Sequence, residues 1–475
     1  MQIPPPDTAE APAARDVRRR TVIAGAAWSV PAIAVAAATP AYAASGTALT
    51  ITRVPGETLS CHATTGPLVA HLQSSNAVGQ VVQFSLPSGW RWANGSGSYV
   101  TDSSGNATVP AGDIVAGVRV GSISATNSGV TTAADVQVAG TGTLATGSNS
   151  VAFPSNANSQ ILRVNTNLSG AVVTKTTGDI WSWFDNGTSN DEAWTQIGTG
   201  ASTNAQAATY VWAPNTKAAL WVKSGALQLG TSAVTFSSGG NSDFSRVASC
   251  GPLAMALKTN GDVWGWQEGG SWTQLDTGVT DDLDQIAPVH DSTAGNTFYW
   301  VKNGVVTSSS GSVAIGSGEN TSVVRLTQSW TNGGGQTGLS AVRANGDVWT
   351  WSQRAGWMKV ATGASTGPEQ THPQAGANGN PTVTIAAGQI QVNGRPAQMG
   401  QGESNDNFIR DAVANDRVLA VKRDGSLYDN YGGRGANQYV KIASNVSTGY
   451  SEIGITASSS GSLRYRLFWI TPASC

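Results

Sequence analysis

The residue types that most often carry catalysis or hold metals are few and scattered in this chain of 475 residues. The histidines lack the short spacing of zinc ligands and stand at positions 62, 71, 290 and 372. Residues 363–367 spell the Gly-Ala-Ser-Thr-Gly of a nucleophile elbow, but no amphipathic helix flanks them, as that motif requires. The acidic segment 281–284 lacks the glycine and distal glutamate of a calcium-binding hand loop, which favours a polar turn. We therefore predict no catalytic residues, no metal, no cofactor and no enzymatic activity.

A second set of residues suits recognition. Only 12% of the residues are charged, yet charges recur in glycine- and serine-rich segments that each follow a tryptophan-rich or tyrosine-containing strand. Loops on a rigid scaffold are where binding residues usually lie, so we expect these side chains to contact a partner. Solvated turns are the alternative. The candidates are Asp185, Asp191, Glu192, Glu268, Arg354 and Arg434.

The segments that must position these charges are repeated. Residues 178–183, Gly-Asp-Ile-Trp-Ser-Trp, return as 261–266 and as 346–351, with a degenerate copy at 425–428. Each copy follows an apolar run that ends in a basic residue, and a strand beginning with Trp or Tyr comes after it. The Asn260-Gly261, Asn345-Gly346 and Asp424-Gly425 pairs predict two-residue type I′ hairpin turns.

Weaker copies around Gly225, Gly304 and Gly388 lie between the strong ones. The turn glycines then recur about every 41 residues, a length that suits four short antiparallel strands. Such a period predicts a closed β-propeller in which strong and weak units alternate. Residues 463–470 resemble the first half of a weak hairpin and 142–153 the second half, so we expect them to pair and close the ring. This gives eight blades over residues 140–475.

The strong copies resemble the repeat of the regulator of chromosome condensation family, on the pattern Lys/Arg-x-x-Gly-Asp-Val-Trp-x-Trp. The resemblance implies a β-propeller, and the family includes secreted bacterial members. That family builds seven blades, which stands as the alternative to our count of eight. The family's aromatic-Gly-x-Asn segment is absent after the second tryptophan. Chromatin binding and nucleotide exchange are not carried over.

Residues 45–139 have a different texture, with short alternating strands such as 81–86 and 118–120 that predict a β-sandwich. Their order resembles the bacterial immunoglobulin-like module of invasin-type surface proteins. The resemblance implies a stalk. The fold class expected for the whole chain is therefore all-β, an immunoglobulin-like sandwich followed by a propeller.

The N-terminal residues 1–43 read as an export signal of the twin-arginine type, because Arg18-Arg19-Arg20 precedes an apolar run and an Ala-Tyr-Ala site. We expect a secreted protein, with or without retention at the cell surface, and no membrane contact after the signal is removed. A net charge of -2 offers no basic footprint for nucleic acid.

Three cysteines, Cys61, Cys250 and Cys475, allow one internal disulfide. Cys475 follows the closing strand and is expected to bond with Cys61 or with Cys250. The sequence leaves both pairings open.

The function expected from these features is binding or adhesion, with the propeller loops presented to an extracellular protein or glycan. The alternatives are a secreted inhibitor of a foreign enzyme, as some secreted propellers of the resembling family are, and a glycosidase or lyase at the propeller mouth. A carboxylate pair about 5 to 10 Å apart would favour that enzyme. A wall protein without a specific ligand is a third class.

Overall fold

The computed structural model describes residues 47–94, 96–147, 152–167, 169–185, 193–236, 240–291, 295–329, 338–352, 355–373, 382–415, 417–430, 438–458 and 464–475. This part of the chain forms 43 β-strands and no helix. Consequently, none of its segments is an apolar helix of membrane-spanning length. The expected export signal, residues 1–43, lies outside the described residues.

A two-sheet β-sandwich forms the N-terminal part. Its strands are β1 (Ala48–Arg53), β2 (Thr58–Leu59), β3 (Leu68–Gln73), β4 (Val81–Ser85), β5 (Arg91–Trp92), β6 (Ser98–Val100), β7 (Asn106–Val109), β8 (Ile114–Val115), β9 (Gly121–Asn127), β10 (Val130–Val136) and β11 (Val138–Ala139). The sheet β1-β3-β7 packs on the sheet β10-β9-β4-β6. Alternating residues such as Leu68, Ala70 and Leu72 fill the core between them.

The rest of the described chain forms eight radial blades, numbered here in chain order. The first and last blades are joined into one seven-stranded sheet by the single residue pair Gly142–Ile161. Blade 1 consists of β13 (Ile161–Asn167), β14 (Gly170–Lys175), β15 (Ile180–Phe184) and β16 (Thr195–Gly198). Blade 2 consists of β17 (Ala208–Trp212), β18 (Lys217–Lys223), β19 (Ala226–Leu229) and β20 (Ser232–Ala233). Blade 3 consists of β21 (Phe244–Cys250), β22 (Leu253–Lys258), β23 (Val263–Gln267) and β24 (Thr273–Asp276).

Blade 4 consists of β25 (Ile286–Asp291), β26 (Gly295–Lys302), β27 (Val305–Ser308) and β28 (Gly311–Ser312). Blade 5 consists of β29 (Val323–Ser329), β30 (Gly338–Arg343), β31 (Val348–Ser352) and β32 (Gly356–Ala361). Blade 6 consists of β33 (Thr371–Pro373), β34 (Thr382–Ala386), β35 (Gln389–Val392) and β36 (Arg395–Pro396). Blade 7 is β38 (Phe408–Ala414), β39 (Arg417–Lys422), β40 (Leu427–Asp429) and β41 (Gln438–Ala443), with β37 (Gln398–Met399) added at its edge.

Blade 8 is built from both ends of the propeller. It comprises β42 (Ile453–Ser458), β43 (Arg464–Pro472) and β12 (Gly142–Thr146), in that order. The pairing of β43 with β12 runs from Pro472–Gly142 to Phe468–Thr146. Each inner strand contacts the next one around the ring, and β42 contacts β13. The sheets therefore form a closed eight-bladed propeller.

A repeated asparagine joins each even blade to the odd blade that follows it. Asn241 accepts a hydrogen bond from Leu227 N at 2.6 Å and donates to Leu227 O at 2.9 Å. Asn158, Asn320 and Asn405 make the same two bonds to Leu144, Val306 and Ile390. Because Leu144 lies in β12, the closing blade 8 has the same asparagine contact as blades 2, 4 and 6. The propeller is thus four copies of a two-blade unit.

The hairpin turns differ between odd and even blades. In the turn of blade 3, Gly261 N donates a hydrogen bond to Lys258 O, and Lys258 N donates one to Asp262 O, both at 2.9 Å. Gly261 has a φ of 89°, whereas the φ of Asn260 is not positive. This is a three-residue turn with a glycine bulge, so the predicted type I′ turns at Asn260, Asn345 and Asp424 are wrong. Each of these side chains instead accepts a hydrogen bond from the backbone two residues on.

Blades 2, 4 and 6 have the two-residue turn. Ser224 and Gly225 both have positive φ, at 47° and 83°, as a type I′ turn requires. The equivalent pairs at Gly304 and Gly388 share this conformation.

Candidate functional site

The propeller has two chemically different faces. Because each blade is an antiparallel sheet, successive connections alternate between its two ends. The turns between second and third strands, and the connections between blades, lie on one side, which we call the hairpin face. The connections from first to second strands and from third to fourth strands lie on the other side, the loop face.

The sandwich is fixed to the hairpin face. Cys61 forms a disulfide with Cys475, which selects one of the two pairings that the sequence left open, while Cys250 is buried in blade 3. Val120 of the sandwich packs into the core shared by blades 7 and 8, and its N–H donates to Thr448 Oγ1 at 2.9 Å. The loop face therefore points away from the sandwich.

Two ion pairs that differ in their exposure to solvent also join the sandwich to the propeller. Arg163, at the start of β13, is 3% exposed and forms a bidentate pair with Glu57. Arg423, in the hairpin turn of blade 7, pairs with Asp135 at 2.6 and 2.9 Å in a partly exposed position. The first pair is enclosed by protein and the second faces solvent.

The predicted binding residues have different positions. Asp191, Glu192, Arg354 and Arg434 lie outside the described residues. Glu268 follows β23 on the loop face and is partly exposed, where its carboxylate accepts a hydrogen bond from Asn215 N of blade 2 at 2.8 Å. Asp185 is 2% exposed and lies 3.5 Å from Arg466 of blade 8. Its carboxylate therefore faces the contact between the first and last blades and is not accessible to a partner, contrary to the expectation.

Four arginines repeat around the channel on the hairpin face. Arg163, Arg246, Arg325 and Arg410 each follow a bulge near the start of the inner strand of an odd blade. Three of them donate to a carbonyl of an adjacent blade connection, as Arg246 does to Ala205 O at 2.8 Å. Arg410 instead donates to Gln137 of the sandwich at 2.5 Å and lies over the Tyr450 ring.

The even blades contribute a matching set of left-handed residues. Gln206, Asp284, Glu369 and Ser451 precede the four even inner strands and have φ between 53° and 58°. The carbonyl of each accepts a hydrogen bond from the next odd inner strand, at 2.7 to 2.9 Å. Residues other than glycine seldom adopt this conformation, and they keep it only where surrounding structure holds it.

Side chains link these residues to one another. Gln206 Nε2 donates to Asp284 Oδ1 at 2.6 Å, and Glu369 N donates to Asp284 Oδ2 at 3.1 Å. Ser451 N lies 2.9 Å from both oxygens of Glu369. Each carboxylate thus satisfies backbone or amide donors of the ring, which assigns Asp284 and Glu369 to holding the backbone.

A cavity of about 180 Å³ occupies the channel next to this ring. Apart from Asp284 and His372, the polar groups on its wall are neutral, and they include Thr209, Ser249, Thr327 and Gln328. Gln328 Nε2 donates across the channel to Ser249 O at 2.8 Å. In the described part of the chain the channel is thus lined mainly by hydroxyl and amide groups.

Buried charges beside the cavity have shifted pKa values. Burial alone would lower the pKa of His372, but the Asp411 carboxylate at 3.2 Å, with Asp284 and Glu369, raises it to about 9. Burial raises the pKa of Asp411 against the opposing effect of His372, and raises that of Glu369 against Arg410. Burial also raises the pKa of Glu452 to about 8, although Arg163 opposes it. The neighbouring carboxylates thus favour the protonated form of His372.

The four arginines and the ring beside them were not among the residues predicted from the sequence. Their signal was present, because Arg163, Arg246 and Arg410 each stand 15 residues before a strong turn glycine. The acidic segment 281–284, which was weighed above as a calcium-binding loop, forms ion pairs with two of these arginines. Asp281 pairs with Arg246 and Asp282 with Arg325, at 2.9 and 2.7 Å.

Fold and site together define an eight-bladed β-propeller carrying a β-sandwich on one face. No known protein family matches the chain, and no curated protein resembles it in sequence. Among solved structures, the computationally designed Ika8 protein is 14% identical over 66% of this chain and 96% of its own, with a TM-score of 0.39.

Human WBSCR16 is 11% identical over 69% of this chain and 94% of its own, at a TM-score of 0.37. Prp20p from Saccharomyces cerevisiae, described with its binding to Gsp1p and histones, is 10% identical over 67% and 84%, at 0.36. The assignment of the fold rests on the strand order and ring closure, and these distant similarities add no function.

Proposed function

We propose that this protein is a secreted or surface-retained binding protein that presents the loop face of its propeller to an extracellular protein or glycan. The observation that carries the proposal is the attachment of the sandwich to the opposite face, by a disulfide and a buried ion pair. In this arrangement the immunoglobulin-like module acts as a stalk. The loops at the far side then remain accessible.

The chemistry of the channel supports binding over catalysis. The carboxylates of Asp284, Glu369 and Glu452 accept hydrogen bonds from backbone or amide donors, so they hold the ring together. An enzyme that cleaves glycosides needs one carboxyl group to transfer a proton and a second to act as a base or nucleophile. A secreted inhibitor of an enzyme would use the same loop face and is one form of the proposed function.

Export is part of the proposal. The expected twin-arginine signal supports it, and so does the disulfide, because such bonds persist mainly in oxidising compartments.

The test is a pull-down from cell envelopes and secreted proteins with the whole exported chain. One variant carries Asp191→Ala, Glu268→Ala, Arg354→Ala and Arg434→Ala on the predicted loops. The matched control carries Asp135→Ala and Arg423→Ala on the sandwich side, and like the first variant it leaves the net charge unchanged. We expect the first variant to lose the partner and the control to retain it. Equal recovery by both variants would refute the loop-face assignment.

A further inference from the structure

One of the four boundaries between an odd blade and the next even blade differs from the other three. At the boundary of blades 1 and 2, Val172 packs with Trp221; at that of blades 3 and 4, Met255 packs with Trp300. At the boundary of blades 7 and 8, Leu419 packs with Trp469. Between blades 5 and 6 the buried apolar cluster consists of Val342, Val348, Ala361 and Ala364, all from blade 5.

The strand register identifies the substituted residues. The inner and second strands of the even blades pair Ala208 with Trp221, Ile286 with Trp300, and Ile453 with Trp469. In blade 6 the same pair is Thr371 with Thr384. Two residues along the second strand, on the same face of the sheet, blade 6 has Thr382, where the other even blades have Ala219, Phe298 and Leu467.

Blade 5 is polar at the matching positions. Its paired residues there are Ser340 and Thr350, whereas the second strands of blades 1, 3 and 7 have Val172, Met255 and Leu419 at the position of Ser340. Ser340 and Thr350 are 0% and 2% exposed. Hydroxyl groups thus face this boundary from both sides.

The hydroxyls on blade 6 are buried without partners from the described protein. Thr371, Thr382 and Thr384 are 3%, 0% and 0% exposed, and none of their Oγ1 atoms has a hydrogen-bond partner there. A buried hydroxyl without a hydrogen bond destabilises the folded state, so three in one place require another partner. Replacing a tryptophan, which buries about 150–250 Å², by threonine also leaves room for one.

We propose that the boundary between blades 5 and 6 is a binding site for a cluster of ordered water molecules, and that the ring opens most readily there. Water suits the site because a buried water makes about three hydrogen bonds and can both donate and accept. The boundary also adjoins the channel cavity, since Thr327 on the cavity wall donates to Thr371 O at 2.7 Å. This inference does not depend on the proposed function.

A crystal structure of the exported chain at high resolution tests the site directly. Water oxygens within hydrogen-bonding distance of the three threonine Oγ1 atoms are the expected result. Protein atoms packed against these hydroxyls, with no solvent between them, would overturn the proposal.

Hydrogen exchange measured by mass spectrometry tests the opening. We expect amides of β30 and β34 to exchange faster than those of the equivalent strands β22 and β26. Thr371→Ile with Thr384→Trp rebuilds the pair found in blades 4 and 8; it should slow exchange in β30 and β34 and raise the melting temperature.

The matched control carries Ile286→Thr with Trp300→Thr and should transfer rapid exchange to β22 and β26. The wild-type comparison needs no variant, so it remains decisive if a substituted protein does not fold. Equal protection at both boundaries in the wild-type protein would refute preferential opening.

Discussion

The two faces of the propeller use charge in different ways. On the hairpin face, four arginines and four left-handed residues recur at equivalent positions and are buried or partly buried. Among the candidate binding charges, which differ in type and spacing from copy to copy in the sequence, Glu268 lies on the loop face and is partly exposed. The regular charges therefore stabilise the scaffold, whereas Glu268 is accessible to solvent. The four predictions below concern the hairpin face; three of them compare its buried charges with an exposed ion pair, and one removes the disulfide.

The largest effect is expected for Arg163→Met. This change leaves the Glu57 carboxylate, which forms a bidentate pair with the buried arginine, without its cation, and breaking a buried ion pair costs about 3–5 kcal/mol. Urea unfolding monitored by tryptophan fluorescence measures the loss of free energy of unfolding. Arg246→Met is the control from the same repeat and should lose less, because the Arg246 side chain is 16% exposed and that of Arg163 only 3%. A smaller loss for Arg163→Met than for the control would contradict the assignment.

Removal of the disulfide comes next. Cys61→Ser with Cys475→Ser should lower the free energy of unfolding by about 2–4 kcal/mol, since the bond constrains the unfolded chain. Thermal unfolding of the oxidised wild-type protein and of the double variant provides the comparison. If both melted at the same temperature, the bond would not stabilise the contact between the domains.

A pH effect should follow from His372. Its pKa is raised to about 9 from an ordinary value of 6.5, so the folded state holds the proton more tightly than the unfolded state. Its contribution to stability is complete below pH 6.5 and is lost as the pH rises through 9. His372→Gln should flatten the wild-type decline in stability between these pH values, and unfolding curves at half-unit steps would reveal it. An unchanged slope would rule out His372 as its source.

The smallest effect is expected for Arg423→Ala. Its pair with Asp135 is partly exposed to solvent, and such pairs contribute about 0–1 kcal/mol. Urea unfolding at low and high salt would measure it, with Asp135→Ala as the reciprocal variant. A loss as large as that of Arg163→Met would remove the distinction between buried and exposed charge on this face.

The sequence predicted much of the fold because apolar alternation and turn glycines are local signals. The repeated Gly-Asp-x-Trp-x-Trp segments predicted the odd blades, and Gly225, Gly304 and Gly388 the even ones. Turn type was predicted incorrectly at Asn260 because an Asn-Gly pair serves two turns that differ by one residue. The outcome depends on the hydrogen bond that the asparagine side chain makes.

The site was less predictable because burial and partner are long-range properties. Nothing near Asp185 in the sequence indicates that Arg466 lies beside it. Thr384 stands four residues before Gly388, as Trp221 and Trp300 stand before Gly225 and Gly304, but the exchange becomes meaningful only when the strand register places Thr384 at the position of these tryptophans and of Trp469.

The mixed origin of blade 8 has a consequence for biosynthesis. On the ribosome, β12 emerges about 320 residues before β43, its partner in the finished sheet. Until then the growing chain carries an unpaired strand, an edge of the kind that promotes aggregation. A chaperone that shields nascent chains, or a fast final step, would determine how much of the protein matures.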